Sequence, residues 1–351
     1  MHRLCPGRAP RLGFRARRDR HGRGQRCGFW PGAIESAGSW WPTGEEPLVN
    51  VISIGEVLWD VMGPTEHLGG APFNFAAHLS KLGHAVSFVS AVGKDERGRR
   101  IFDCLPALGL SPRYLGQAED HPTGFVTVSF DRDRQPHYII HRPVAYDFPK
   151  LSEAQLQELF SRPVDWIYFG TLQQSSPEAK RLTRRLLDSG RGARRFYDLN
   201  LRVDGYDRAL VRELMALATV VKLNDEEVLE VTRMFGHGTA SLEQFCRSYS
   251  ETFGWEGACV TRGAKGCALL IQGEYVEAKG YPVEVADPVG AGDAFAAAFL
   301  HGLGRGWPAP EIADFANRVA ALVAARPGAI PPWSLAEAEA LGPNSDRLES
   351  A

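Results

Sequence analysis

Apolar positions along the chain fall into short dense runs separated by longer stretches of helical period. Val49-Asn50-Val51-Ile52-Ser53-Ile54-Gly55 is a β-branched run ending in glycine and predicts a buried strand. A helix over 74–82 follows, then a strand over Ala85–Val92. Further strands are predicted at 124–130, 137–141, 165–169, 194–199, 219–223, 257–261 and 267–271, with helical stretches at 152–160, 177–188, 207–217 and 240–253. Strands alternating with helices of this length predict an α/β fold with a mostly parallel sheet and helices on both faces. Residues 121–142 break the rhythm. Phe125, Thr127 and Ser129 alternate, the polar turn Asp131-Arg132-Asp133-Arg134 follows, and His137–His141 reads as a second strand. That pattern predicts a β ribbon projecting from the body as a lid.

The first 48 residues carry no apolar period and are dominated by Gly, Arg and Pro. Such a segment buries too little to offset its ordering entropy, and a disordered extension is expected. A transit peptide would also be Arg-rich, but residues 1–30 contain no Ser; a start codon placed too far upstream is the third reading. The folded body is expected over 49–341, with a short tail at 342–351. Net charge is −2 overall, while residues 1–50 hold nine Arg, no Lys and four acids, which leaves the body near −7. A body of that sign does not suit a polyanion, so no nucleic-acid partner is expected. No apolar run reaches 18 residues, and the N-terminus has no secretory core. The six cysteines form no CxxC pair, and the ten histidines contain no HExxH. Reduced thiols and a cytoplasmic location are expected.

Chemistry concentrates in two segments. Asp287-Pro288-Val289-Gly290-Ala291-Gly292-Asp293 precedes an Ala-rich helix. Its small residues allow a tight turn at a helix start, where free N–H groups and the helix dipole attract an anion. A phosphate can sit against Gly290, Ala291 and Gly292, and Asp293 can accept the proton of a hydroxyl lined up behind it. The plainer reading is a helix N-terminus with Asp293 on its dipole. Near the other end, Gly69-Gly70-Ala71-Pro72-Phe73-Asn74-Phe75-Ala76 pairs glycines that permit close backbone approach with an Asn that can both donate to and accept from a polyol. Alone, it reads rather as an Asn cap after a turn. There is no GxxxxGK[ST], no GxGxxG after a first strand and no GxSxG, so phosphate handling rests on the 290–293 loop.

Together, in this order, the two segments resemble the N- and C-terminal signatures of the PfkB (ribokinase-like) carbohydrate kinases, over about 49–333. Gly55-Glu56-Val57-Leu58-Trp59-Asp60 resembles the opening strand of bacterial fructokinases and implies that Asp60 holds sugar hydroxyls, with Gly69, Gly70 and Asn74 beside it. Val144-Ala145-Tyr146-Asp147 and Phe169-Gly170-Thr171-Leu172-Gln173-Gln174 are similar to the same group and add Gln173. Arg142 on the lid reads either as a surface residue or as a contact for an anionic substrate. Val92-Gly93-Lys94-Asp95 and Asp198-Leu199-Asn200-Leu201-Arg202 also resemble family segments. Asn224-Asp225-Glu226-Glu227 resembles the N-x-x-E motif, implying Mg²⁺ held through water by Asn224 and Glu227; its plainer reading is a helix cap. The resemblance assigns ATP to Thr261, Gly263, Gly266 and Asn317, and a K⁺ loop to Asp287, Val289, Val323, Arg326 and Gly328. It implies ATP-dependent phosphorylation of a sugar hydroxyl, fructose above other acceptors. The alternatives are ribose, a nucleoside or 2-keto-3-deoxygluconate as acceptor, or a non-catalytic sugar-binding homologue. The lid edge is available for pairing with a second subunit as a homodimer.

Overall fold

The apolar runs become the middle of a ten-stranded sheet. The computed structural model describes residues 49–130, 136–203, 205–236, 240–341 and 348–350. The expected extension over 1–48 and the turn at 131–134 lie outside the described residues. In chain order the strands are β1 (Asn50–Ile54), β2 (Leu58–Met62), β3 (Thr65–Gly69), β4 (Ala85–Gly93), β5 (Leu115–Ala118), β6 (Gly124–Phe130), β7 (Pro136–Ile140), β8 (Trp166–Gly170), β9 (Arg194–Asp198), β10 (Val220–Asn224), β11 (Gly257–Thr261), β12 (Cys267–Ile271), β13 (Glu274–Ala278) and β14 (Leu348–Ser350). The helices are α1 (Ala71–Lys81), α2 (Glu96–Cys104), α3 (Glu153–Leu159), α4 (Pro177–Ser189), α5 (Arg208–Leu217), α6 (Asp225–Phe235), α7 (Leu242–Phe253), α8 (Ala291–Gly304), α9 (Ala309–Ala324) and α10 (Leu335–Ala340).

The main sheet runs β14-β13-β12-β11-β10-β9-β8-β1-β4-β5. It is parallel from β11 through β5 and antiparallel from β11 to the β14 edge. β14 comes from the segment expected to be a tail. Because both faces are covered, the central strands are apolar at successive positions. Ile52, Ile54, Ile167 and Phe169 face a core with α3 to α7. Val51, Trp166 and Tyr168 face the opposite core, with α1, α8 and α9. This is the α/β architecture, with a mostly parallel sheet and helices on both faces, that the strand–helix rhythm predicts. Among the described residues, no helix is long and apolar enough to cross a membrane. Cys246, Cys259 and Cys267 are free and buried.

Two local expectations are corrected. Helix α1 starts at Ala71 rather than 74, because Pro72 lies in the first turn, where its missing N–H costs nothing. The lid is also larger than a ribbon. It is a four-stranded sheet, β3-β2-β6-β7, half of which comes from residues 58–69. β2 pairs with β6 in parallel across more than 60 residues of chain, a contact with no local signature. Trp59 of β2 packs with Phe73, Phe88 and Ile101, which seats the lid sheet on the body. Helix α2 reinforces the joint. Arg97 and Arg100 both bond Glu66 of β3, while their guanidinium groups lie over Phe125 and Trp59.

Candidate active site

In an open parallel sheet, ligands bind outside the carboxyl ends of the strands where the winding reverses. Here the chain winds from β1 to β4 and β5 in one direction and from β8 to β11 in the other. The reversal lies between β1 and β8. Glu56, Thr171, Gln173, Asp198, Asn224 and Thr261 all stand at or just past strand carboxyl ends on this side.

The two signature segments meet there. Asn74 Nδ2 donates to Asp293 Oδ2 at 2.8 Å, across 219 residues of sequence. Asn74 is buried in α1, and its Oδ1 has no hydrogen-bond partner. Asp293 lies in the first turn of α8, whose N-cap is Gly290 and which no side chain caps. Gly290 has φ 80°, and a Cβ there would lie 2.4 Å from the carbonyl oxygen of Ala329, so only glycine fits. That carbonyl also accepts from His78 Nε2 at 2.9 Å. Trp333 Nε1 donates to His78 Nδ1 at 3.1 Å, which fixes the imidazole as the Nε2–H tautomer. The 290–293 loop is thus bonded to α1 through Asn74 and lies against the Ala329 carbonyl that His78 of α1 also holds. Burial pushes the Asp293 carboxyl up to about 6; Asp198 pushes the same way, and Asn74, Lys222 and Arg202 oppose the shift. A carboxylate near that value can exchange a proton at neutral pH.

Below the loop lies a buried ion pair that the sequence reading did not single out as part of the site. Lys222 Nζ contacts Asp198 Oδ1 and Oδ2 at 2.9 and 3.0 Å, and Tyr168 Oη donates to Asp198 Oδ2 at 3.0 Å. A Cβ on Gly292 would lie 3.9 Å from Lys222 Nζ, so the ammonium sits under the first turn of α8. Burial pulls the Lys222 pKa down, but Asp198, with Glu227 and Asp293, outweighs it and the net shift is upward. The available signal was a lysine inside the apolar strand Val220-Val221-Lys222-Leu223, since an unpaired Lys is rarely buried.

Asn224 and Glu227 form a capping box on α6. Glu227 Oε2 accepts from Asn224 N at 2.8 Å and Oε1 from Leu201 N at 2.7 Å. Burial raises the Glu227 pKa, while Lys222 opposes the rise. Each oxygen retains a lone pair. Among the described residues no cluster of three or more His, Cys, Asp or Glu could hold a metal ion. One carboxylate and one amide, each already bonded to backbone N–H groups, fit a hydrated Mg²⁺ contacted through its water shell.

On the lid side, Asp60 stands within β2, opposite His67 of β3 and Val126 of β6, and not at the end of the opening strand. Its Oδ2 lies 3.1 Å from the Cβ position of Gly69. Burial raises its pKa, with Arg202 and His67 opposing. Gly70 has φ 111°, and a Cβ there would lie 2.6 Å from the Glu56 carbonyl oxygen. Gln173 is buried and donates to the Tyr146 carbonyl at 2.9 Å. Arg142 points inward: its guanidinium is held by Asp147, Ser175 Oγ and the Leu172 carbonyl. Arg142 is thus anchored inside the protein while its side chain keeps 24% of its surface exposed.

On the opposite side, Thr261 pairs in register with Asn224. Gly263 and Gly266 have φ of 55° and 95° in the turn before β12. Asn317 is buried in α9 with Nδ2 3.4 Å from Cys267 Sγ. Asp287 accepts from Val289 N and Gly328 N, each at 3.0 Å. Val323 O accepts from Arg326 N at 3.0 Å, and the Arg326 side chain bonds Pro332 O and Glu337. Asp287, Val289 and Gly328 are therefore brought together, while the Arg326 side chain turns toward α10.

The family model described as pfkB family carbohydrate kinase matches residues 49–336. An uncharacterized sugar kinase from Pyrococcus horikoshii is 29% identical over 299 residues, which cover 82% of this chain and 90% of that protein. Its structure in complex with ATP aligns with a TM-score of 0.65 at 27% identity, over 80% of this chain and 94% of that one. A fructokinase from Escherichia coli is 29% identical, over 75% of this chain and 87% of its own length. A fructokinase from Xylella fastidiosa solved with bound ATP aligns with a TM-score of 0.73 at 22% identity, over 83% of this chain and 97% of that one.

Proposed function

This chain belongs to the pfkB family and is a carbohydrate kinase; on that basis we propose that it moves the terminal phosphoryl group of ATP onto a primary hydroxyl of a neutral sugar, with D-fructose giving fructose 6-phosphate as the best acceptor. The observation that carries the reading is the 2.8 Å bond from Asn74 to Asp293, which places a polyol-binding amide and a proton acceptor together beside the uncapped start of α8. Asp60, Gly69, Gly70, Asn74 and Gln173 bind the sugar from the lid side. Asp293 Oδ accepts the proton of the attacking hydroxyl. The N–H groups of Ala291, Gly292 and Asp293, at the positive end of the α8 dipole, stabilise charge developing on the transferred group. Lys222, held by Asp198, adds a fixed positive charge below the same turn.

Thr261, Gly263, Gly266 and Asn317 would hold the nucleotide, and Asn224 and Glu227 would contact its Mg²⁺ through the metal's water shell. Mg²⁺ bound with ATP supplies positive charge to the phosphate oxygens. K⁺ at the Asp287, Val289, Val323, Arg326 and Gly328 loop, a cytoplasmic location and a lid-mediated homodimer belong to the same proposal. Internal commitment of Arg142 disfavours a sugar acid as acceptor.

The test is kcat/KM for fructose, ribose, glucose, tagatose and 2-keto-3-deoxygluconate in an ADP-coupled assay. Fructose is expected to lead. An acceptor better by tenfold or more would remove fructose as the substrate and leave the kinase reading intact. Absence of turnover on every sugar would remove the kinase reading.

A further inference from the structure

Four buried polar atoms without a hydrogen-bond partner lie around the proposed sugar pocket: Glu56 Oε2, Asn74 Oδ1, Tyr146 Oη and Gln173 Oε1. Direct contacts link them. The Glu56 carbonyl lies against Gly70, whose own carbonyl accepts from Asn74 N at 2.8 Å. The Tyr146 ring and the carbonyl of Val57, the residue after Glu56, both lie within 3.0 Å of the Cβ position of Gly124. Gln173 Nε2 bonds the Tyr146 carbonyl. Glu56 itself occupies the short link that leads from β1 of the main sheet to β2 of the lid, at the winding reversal, and is only 4% exposed. A fully buried carboxyl oxygen with no partner is a costly choice where Gln or Leu would fit. Such a cost persists at a site whose ligand completes the missing bonds.

We propose that Glu56 contacts the substrate through Oε2 and sets the acceptor class, favouring a neutral polyol and disfavouring one with a carboxylate or phosphate at that end. The inference rests on the sugar kinase reading of the site. A hydroxyl both donates and accepts, so a row of hydroxyls can satisfy all four orphaned atoms. A carboxylate or phosphate group only accepts; it would leave Asn74 Oδ1 and Gln173 Oε1 without donors and would also meet Asp60 and Asp293. The charged and titratable groups facing Glu56 are Asp293, Tyr146 and Tyr168, with Arg202 and Arg142 as cations. Arg142 is committed to Asp147, which leaves Arg202 as the cation without an ion pair among the described residues. Burial pushes the Glu56 carboxyl up to about 7, so near neutrality it can donate to a sugar oxygen as well as accept.

The experiment compares wild type, Glu56→Leu and Glu56→Gln. Fructose and 2-keto-3-deoxygluconate kinetics, KM for ATP, calorimetric affinity for fructose and ligand-free melting temperature are measured on each. Glu56→Leu is expected to raise the fructose KM about 10- to 100-fold. It should narrow the preference for fructose over the sugar acid about tenfold, leave KM for ATP in place and raise the melting temperature. Glu56→Gln is expected to recover most of the sugar affinity. An unchanged fructose KM and selectivity in Glu56→Leu would overturn the proposal. So would a comparable loss of melting temperature in both variants, which marks a structural role. If wild type turns over no sugar, the kinase reading fails and calorimetry still decides Glu56. Lower fructose affinity in Glu56→Leu supports the contact; equal affinity, or no fructose binding by wild type, overturns it.

Discussion

Replacing Asp293 by Asn probes the centre of the proposed mechanism with little change of shape. Asn74 Nδ2 now donates to Asp293 Oδ2, and it can equally donate to the amide oxygen of the substituted side chain, so the join between α1 and α8 survives. The substitution removes the only function the amide cannot perform, acceptance of a proton. Loss of a general base typically costs about 10²–10⁴-fold, so kcat is expected to fall about 1000-fold while sugar and ATP affinities change little. The pH profile gives an independent check. Asp293 must be ionised to act, so wild-type kcat should fall about tenfold per pH unit below its pKa near 6, and the residual activity of D293N should not.

Stability should move the other way. The folded-state pKa is raised from 3.8 to about 6, so ionisation of Asp293 penalises the native state. The penalty is absent below about pH 4, grows between 4 and 6, and is fully present above 6. About two pKa units correspond to roughly 3 kcal/mol, an upper bound because the residue keeps some contact with water, which screens it. D293N is therefore expected to melt about 2–6 °C higher than wild type at pH 8 and at the same temperature at pH 4. The measurements are coupled turnover across pH 5–8, calorimetric binding of both substrates, and scanning calorimetry at the two pH values. Turnover within tenfold of wild type would refute the assignment. Parallel loss of binding and turnover would show Asp293 to be a positioning residue.

Gly290→Ala must place a methyl 2.4 Å from the Ala329 carbonyl oxygen at φ 80°, and is expected to cost about 2–4 kcal/mol in urea unfolding and to weaken ATP binding; an unaffected midpoint would contradict the loop geometry. Lys222→Met leaves the buried Asp198 carboxylate unpaired and should cost about 3–5 kcal/mol by the same measurement, with at least half restored by adding Asp198→Asn; no recovery in the double variant would place the loss elsewhere. Glu227→Gln should raise the Mg²⁺ concentration needed for half-maximal rate several-fold more than it raises the sugar KM, read from metal titrations at saturating ATP; a shift in sugar KM alone would move Glu227 to another site.

The strand–helix rhythm, the buried central strands and the two glycine-bearing segments that meet at the candidate site were all legible along the chain. Those features are local. A strand covered on both faces must be apolar throughout, as in Trp166–Gly170, and a backbone at positive φ against a carbonyl must be glycine, as at Gly290. The place of Asp293 at a small-residue helix start was legible for the same reason. Packing supplied the rest. Asp60 lies mid-strand in a lid sheet that closes only when β2 pairs with β6 far along the chain. Arg142 found its partners in Asp147 and in Ser175, a loop away. Lys222 and Asp198 sit on neighbouring strands, and Glu56 acquires its meaning from Asn74, Tyr146 and Gln173 arriving from three other segments. Burial and the presence or absence of a partner are properties of the packed chain. They set the proton affinities at this site, and no window of sequence contains them.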